Sequence, residues 1–327
     1  MTARHAYGTP PGRRRRLPAV TLDDDAVARL RSAVLTWYAR QARAFEFRGI
    51  RDPYAILVSE VILQQTQASR GEPAWRAFMT RFPTVEVLAA ASPADVLREW
   101  SGLGYNRRAL YLQRAARAIV ERHGGQVPDD LASLEALPGV GPYTARAVAA
   151  IAFRRPVGPV DTNVRRVLGR LVAGHGGPHD PGEPLPRRDL QALADALVPE
   201  ARPGDWTAAL MDIGATLCKP SRPDCVPCPA AGECRFAAAS AAVTIAGGRV
   251  HAARRVAEPS EPYEASNRWL RGRIMARLSA APDGAWQTPE TPIGSHGPEA
   301  VAGALEGLRS EGLAETDGSG RWRLPAS

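Results

Sequence analysis

Only one of the 42 Lys and Arg side chains in this 327-residue sequence is a lysine, Lys219. That scarcity removes the usual amine nucleophile from nearly every position and narrows the covalent chemistry open to the protein. Cysteine is almost as scarce. The four present lie together between Cys218 and Cys234, which does not suit a secreted disulfide scaffold and suits a metal or cluster site in a reducing compartment. There is no uninterrupted apolar run of the roughly 18 residues that a membrane span needs. Nor does the basic stretch Arg13 to Arg16 lead into the apolar segment of a signal peptide. These absences lead us to expect a soluble, cytoplasmic protein with no membrane partner.

What is present is enough apolar residue, 44%, to build genuine cores, and an excess of basic charge. The formal net charge is +8 and the isoelectric point near 9.8. Such a balance suits a polyanion, because Lys and Arg that neutralise phosphates release condensed counterions. Many soluble proteins are equally basic, so charge names nucleic acid as a candidate partner without deciding for it.

Residues 1–21 are rich in Arg, Pro and Gly without periodicity and read as a disordered basic arm. From Asp23 the pattern turns helical, with Val27, Leu30, Val34 and Tyr38 recurring at three- or four-residue spacing. Asp52-Pro53 and Ser92-Pro93 each place an N-cap before a proline at the first helical position. Further helices are predicted over about 106–122, 143–153, 162–172, 187–198 and 204–217, so residues 22–236 read as an all-α domain. Residues 237–264 read as a linker with little structure, given their small residues and Glu258-Pro-Ser-Glu-Pro262. Residues 265–327 read as a small α+β module of winged-helix type. It has helices at 269–278 and 298–308 and two short strands around Asp317-Gly-Ser-Gly320. Such a module serves DNA contact or protein contact equally well.

The cysteine spacing Cys218-x6-Cys225-x2-Cys228-x5-Cys234 lets four thiolates of one loop converge on one centre, and by itself it suits zinc or an iron-sulfur cluster. A second signal is Leu137-Pro-Gly-Val-Gly-Pro-Tyr-Thr144. Its glycines, Gly139 and Gly141, permit a tight interhelical turn that brings backbone N–H groups close to a phosphate. Two acids stand out. Glu60 lies inside the apolar segment Ala55 to Leu63, where a carboxyl kept from water stays protonated more readily; an ordinary solvated helix position is the alternative. Asp161 opens a helix, where it serves as an N-cap and is kept ionised by the helix N-terminus.

Together these segments resemble the endonuclease III and MutY-type adenine glycosylases of the helix-hairpin-helix superfamily. The cysteine loop, preceded by Met211-Asp-Ile-Gly-Ala215, is similar to the 4Fe-4S loop of that group, which implies a 4Fe-4S cluster on Cys218, Cys225, Cys228 and Cys234. The cluster's implied task is to order the loop and present Lys219 and Arg222 to phosphate. Ser59-Glu-Val-Ile-Leu-Gln-Gln-Thr66 resembles the segment bearing the catalytic Glu, and Val160-Asp-Thr-Asn-Val164 the one bearing the catalytic Asp. The resemblance thus implies Glu60 as the acid that protonates the leaving base and Asp161 as the carboxylate beside the sugar. Such a pair is what cleavage through an oxocarbenium-like state requires. It further implies Tyr143 and Asn163 as hydrogen-bonding support, Arg48 near the bound adenine, and a DNA-contacting run Gln64-Gln65-Thr66. Gln65 and Tyr105, the latter from Gly102-Leu-Gly-Tyr105, would wedge into the duplex where the base is extruded. Endonuclease III carries a Schiff-base lysine after the hairpin glycines; here that position is Tyr143, which implies a monofunctional glycosylase. The implied partner is mismatched double-stranded DNA, bound by a monomer.

The sequence also departs from the group. Phe45-Glu-Phe47 replaces the Leu-Pro-Trp usual before the adenine-contacting arginine, and Asn106 replaces a second aromatic. The C-terminal region does not resemble the Nudix-like domain that reads 8-oxoguanine, although Gly294-Ser-His296 has a local similarity to its recognition loop. Adenine opposite G or 8-oxoguanine is the leading target, and thymine or uracil opposite G the alternative. A redox-sensing iron-sulfur regulator would need neither acid.

Overall fold

The computed structural model describes residues 22–174, 185–245 and 262–326. The basic arm expected over 1–21, and residues 246–261 of the expected linker, lie outside them.

The described chain is helical until its last module. Helix α1 (Asp24–Gln41) starts where Asp23 accepts a 2.7 Å hydrogen bond from the Ala26 N–H. Helix α2 (Pro53–Leu63) starts on Asp52, with Pro53 in its first turn. There follow α3 (Ala68–Arg81), α4 (Val85–Ala90) and α5 (Pro93–Glu99), the last capped by Ser92. Next come α6 (Arg107–His123), α7 (Leu131–Glu135), α8 (Pro142–Ile151), α9 (Thr162–Ala173), α10 (Arg187–Leu197) and α11 (Pro203–Thr216). Helix α12 (Arg235–Ile245) corrects the sequence expectation, because it occupies the start of the segment read as a linker. Its alanines suit a helix well, but their small side chains carry none of the bulky periodicity that marks one. Further along the chain lie α13 (Asn267–Ala280) and α14 (Pro298–Ser310), then an antiparallel pair, β1 (Glu315–Thr316) and β2 (Trp322–Arg323). Among the described residues these are the only strands, so the expected all-α body with a small α+β module agrees with the structure.

Two compact units form, each assembled from separate stretches of chain. Of the described residues, the first contains 22–42, 160–174, 185–199 and 205–245; the second contains 43–159, 200–204 and 262–326. In the first, Leu30 and Val34 of α1 pack with Val167, Leu171, Leu193, Trp206 and Ile213. In the second, the hydrophobic core runs from α2 through α8 and continues without a break into the C-terminal module through Leu270, Ile274, Met275 and Leu278. Burial of each such side chain contributes about 1.5–3 kcal/mol. An ion pair at 2.5 Å between Arg98, in α5, and Asp283 adds a polar link.

Candidate functional site

In the second unit, Glu60 sits two-thirds of the way along α2, a helix in which every residue from Tyr54 to Ile62 is buried. Its relative exposure is 8%, and it is the sole buried carboxyl of this unit among the described residues. Carboxyl groups are rarely buried unless something uses or pairs them, because transfer from water costs the charged form several kcal/mol. At the end of α2 the chain leaves the helix, and the Gln64 amide donates to the Thr144 hydroxyl of α8 at 3.1 Å. That bond ties the Gln64-Gln65-Thr66 turn to the hairpin. Gly139 turns with φ +76°, and a Cβ there would lie 2.6 Å from Cβ of Tyr111, so glycine is required twice over. Gly141 stands at the N-terminus of α8 with no side-chain cap and Pro142 after it, and a helix N-terminus of this kind suits an anion. Tyr143 follows in that turn, half-buried.

Both expected wedge residues adopt left-handed backbone, Gln65 with φ +56° and Tyr105 with φ +48°. Such conformations cost non-glycine residues about 1–3 kcal/mol and persist where surroundings impose them. One side chain, Arg108 of α6, supplies much of that constraint. It donates from one terminal nitrogen to the carbonyls of Val61, Ile62 and Gln64, at 2.8, 3.1 and 2.5 Å. The other nitrogen reaches the carbonyls of Leu103 and Gly104, at 3.4 and 3.0 Å. Its guanidinium also lies over the rings of Trp100 and Tyr105. Burial pulls its pKa down to about 10, partly offset by Tyr105, so it remains a cation at neutral pH. Arg70 donates to the Gly102 carbonyl at 2.6 Å and Trp100 to that of Gly104 at 3.1 Å. The turn bearing Gln65 and the turn bearing Tyr105 are thus held by one residue.

Arg48 is held within its own loop. Its guanidinium lies 5.5 Å from the centre of the Phe45 ring, which stacks on Phe47 at 5.0 Å, and Phe47 in turn meets Trp75 edge-on. The departure Phe45-Glu46-Phe47 therefore builds an aromatic platform under Arg48.

In the first unit, Asp161 caps α9. One carboxylate oxygen accepts from the Val164 N–H at 2.6 Å and the other from the Asn163 amide at 3.0 Å. The Asn163 carbonyl oxygen accepts from Arg166 at 2.8 Å, and Arg166 also donates to the carbonyls of Gly214 and Cys218. A Cβ on Gly214 would sit 2.7 Å from that of Asn163, so the glycine of Met211-Asp-Ile-Gly-Ala215 is what lets α11 approach α9. A continuous chain of hydrogen bonds therefore links Asp161 to the cysteine loop.

All four cysteines are free thiols and line one cavity, together with Val167, Arg170 and Phe236. Burial pushes the Cys228 thiol up to about 11, and raises Cys225 and Cys234 as well. Arg170 donates to the Cys218 sulfur at 3.3 Å and to the carbonyls of Lys219 and Pro220, while its buried Nε has no acceptor. Four thiols around one space with an under-satisfied cation beside it fit a negatively charged thiolate-bound centre. Among the described residues no three His, Cys, Asp or Glu side chains are grouped as ligands of a single metal ion, so the fit rests on the shared cavity. Lys219 and Arg222 are exposed on the loop.

Sequence reasoning missed Arg108, Arg166 and Arg170. Each lies on the buried stripe of an otherwise amphipathic helix, Arg108 in line with Leu112, Ala115 and Ile119, and Arg166 and Arg170 beside Val167 and Leu171. An arginine on the apolar face was the available signal.

Residues 58–183 match the family described as HhH-GPD superfamily base excision DNA repair protein. The chain is 39% identical over 293 residues to a protein of Mycolicibacterium smegmatis named adenine DNA glycosylase, covering 89% of this chain and 94% of that one. It is 43% identical over 218 residues to the human protein of the same name, covering 64% of this chain and 39% of the human one. Among solved structures, a thermostable thymine-DNA glycosylase shares 30% identity and a TM-score of 0.59, covering 66% of this chain and 98% of that one. A non-covalent endonuclease III–DNA complex, at 21% identity and a TM-score of 0.56, covers 68% of this chain and 99% of that one, and shares the fold.

Proposed function

This chain belongs to the MutY-type adenine DNA glycosylases of the helix-hairpin-helix superfamily, and from that premise we propose which bond it breaks and how. As a family member it is a DNA glycosylase of base excision repair. In our reading it acts as a monomer on duplex DNA and hydrolyses the N-glycosidic bond of adenine mispaired with G or 8-oxoguanine. The observation that carries this reading is Glu60, an acid buried within an apolar helix in a chain similar over nearly its whole length to adenine glycosylases.

Glu60 gives a proton to the extruded adenine as the bond from its nitrogen to C1′ of the sugar breaks, the bonding electrons leaving with the base. Asp161, the cap of α9, stabilises with its carboxylate the positive charge left on the sugar. Water adds to C1′ and returns a proton to Glu60, giving free adenine and an abasic site. Tyr143 occupies the position of the Schiff-base lysine in endonuclease III, and the chain's one lysine, Lys219, belongs to the cysteine loop. No lysine-based strand cleavage is therefore expected. Cys218, Cys225, Cys228 and Cys234 would hold a 4Fe-4S cluster, which supplies a rigid anchor for the loop carrying Lys219 and Arg222 and consumes every thiolate of the chain.

A second reading, thymine or uracil opposite G, draws on the solved thymine-DNA glycosylase and on the altered platform under Arg48. A panel of duplexes differing in one pair decides between them. Adenine release from A:G and A:8-oxoguanine, with T:G and U:G untouched, is the result expected; release of thymine or uracil alone would overturn the adenine assignment.

A further inference from the structure

The C-terminal module, whose sequence does not resemble a Nudix-like domain, reaches the residue read as a wedge. Arg268, in the first turn of α13, places its guanidinium 4.6 Å from the centre of the Tyr105 ring. We propose that Arg268 is a positioning residue for Tyr105, so that the C-terminal module sets the wedge that opens the duplex. This rests on the reading of Tyr105 as a wedge.

Tyr105 needs such a hold. Its ring is 47% exposed, and its turn contains Gly102 and Gly104, both at positive φ, which give the backbone more freedom than other residues would. Arg108 fixes the carbonyls before Tyr105 from within. Arg268 meets the ring more closely than Arg108 does, at 4.6 against 5.9 Å, from a helix anchored in the core through Leu270 and Ile274. A cation in the first turn of a helix opposes the helix dipole, so the position is unfavourable for α13 taken alone and is explained by the ring it meets. The contact is also of a kind that strengthens when DNA covers it. A cation–π pair contributes about 0.5–1 kcal/mol at an exposed site and about 2 when desolvated. Stabilisation that grows on contact with the duplex favours the state in which the base has been extruded.

The test is a double-mutant cycle on the full-length protein, read by a mismatch duplex with 2-aminopurine beside the target base, whose emission rises on unstacking. Arg268→Ala should slow the extrusion phase roughly 2- to 30-fold, the range that corresponds to the pair's strength. In a Tyr105→Ala background the same change should have no further effect. Arg268→Lys keeps the charge but not the planar face, guards against a folding defect, and should fall between wild type and Ala. Extrusion unaltered by Arg268→Ala, or slowed as much with Tyr105→Ala as without it, would overturn the proposal while leaving the wedge reading intact. Unaltered extrusion in Tyr105→Ala would overturn the wedge reading, and this proposal with it.

Discussion

The two units hold their functional residues by the same chemical device on different foundations. In each, an inward-turned arginine with no carboxylate among its hydrogen-bond partners donates to carbonyls beyond helix ends: the half-buried Arg108 in the second unit, the buried Arg166 and Arg170 in the first. A guanidinium suits this task because its fixed fork of five donors can satisfy several otherwise orphaned acceptors. The foundations differ. Glu60 and the turns gripped by Arg108 stand on a continuous apolar core. Asp161 is linked through Asn163 and Arg166 to a loop of little regular structure whose interior is lined by four thiols. A centre on the cysteines, as proposed, would therefore bear on the acid of the first unit and leave the acid of the second on its apolar core.

Removing the centre should break the comparison most severely. Cys228→Ser is expected to yield protein without stoichiometric iron by elemental analysis, with base release from the mismatch lost. Hydrogen exchange should rise over 218–234 and along α9 while α2 stays protected. Equal loss of protection in α2 would show that the foundations are shared. Bound zinc in place of iron in the wild-type protein would correct the nature of the centre.

Asp161 separates the structural from the chemical role of one side chain. Asn caps helices about as well as Asp, so Asp161→Asn should retain wild-type thermal stability while base release falls about 10²–10³-fold. Asp161→Ala should show that same fall and lose about 1 kcal/mol of stability besides. Release reduced only in the alanine variant would leave Asp161 a cap and no more.

The smallest of these effects belongs to Arg108. Arg108→Met keeps an apolar stem but strands several partly buried carbonyls, at about 1–3 kcal/mol for each fully desolvated one. Base release in single turnovers should drop about 10- to 100-fold, with Cys-loop protection unchanged. A matching loss of protection in the first unit would blur the contrast.

Much of this was legible in the sequence, and the remainder was hidden for physical reasons. Capping residues such as Asp52, Ser92 and Asp161 act over three or four residues, so the helices that follow them could be read locally. Helix α3 escaped because Gly71 and Pro73 interrupt its first turns, and α4 and α7 because five or six residues hold too few periods to register. Glu60 and the four cysteines were conspicuous through their neighbours. Arg108 and Arg166 were not, since in a chain this rich in arginine a cation turned inward looks like any other until its carbonyl partners, some as distant as 52 residues along the chain, are in view. The meeting of Arg268 with Tyr105, and the merging of the C-terminal module into the second unit's core, are tertiary facts with no local trace.

In the proposed reaction Glu60 is the proton donor for the departing base. Single-turnover base release by Glu60→Gln on an A:G duplex tests it most directly, because glutamine keeps the size and hydrogen-bonding capacity of the side chain but cannot supply an acidic proton. Release slower by about 10²–10⁴-fold with duplex affinity retained is expected; release at the wild-type rate would rule Glu60 out as the donor.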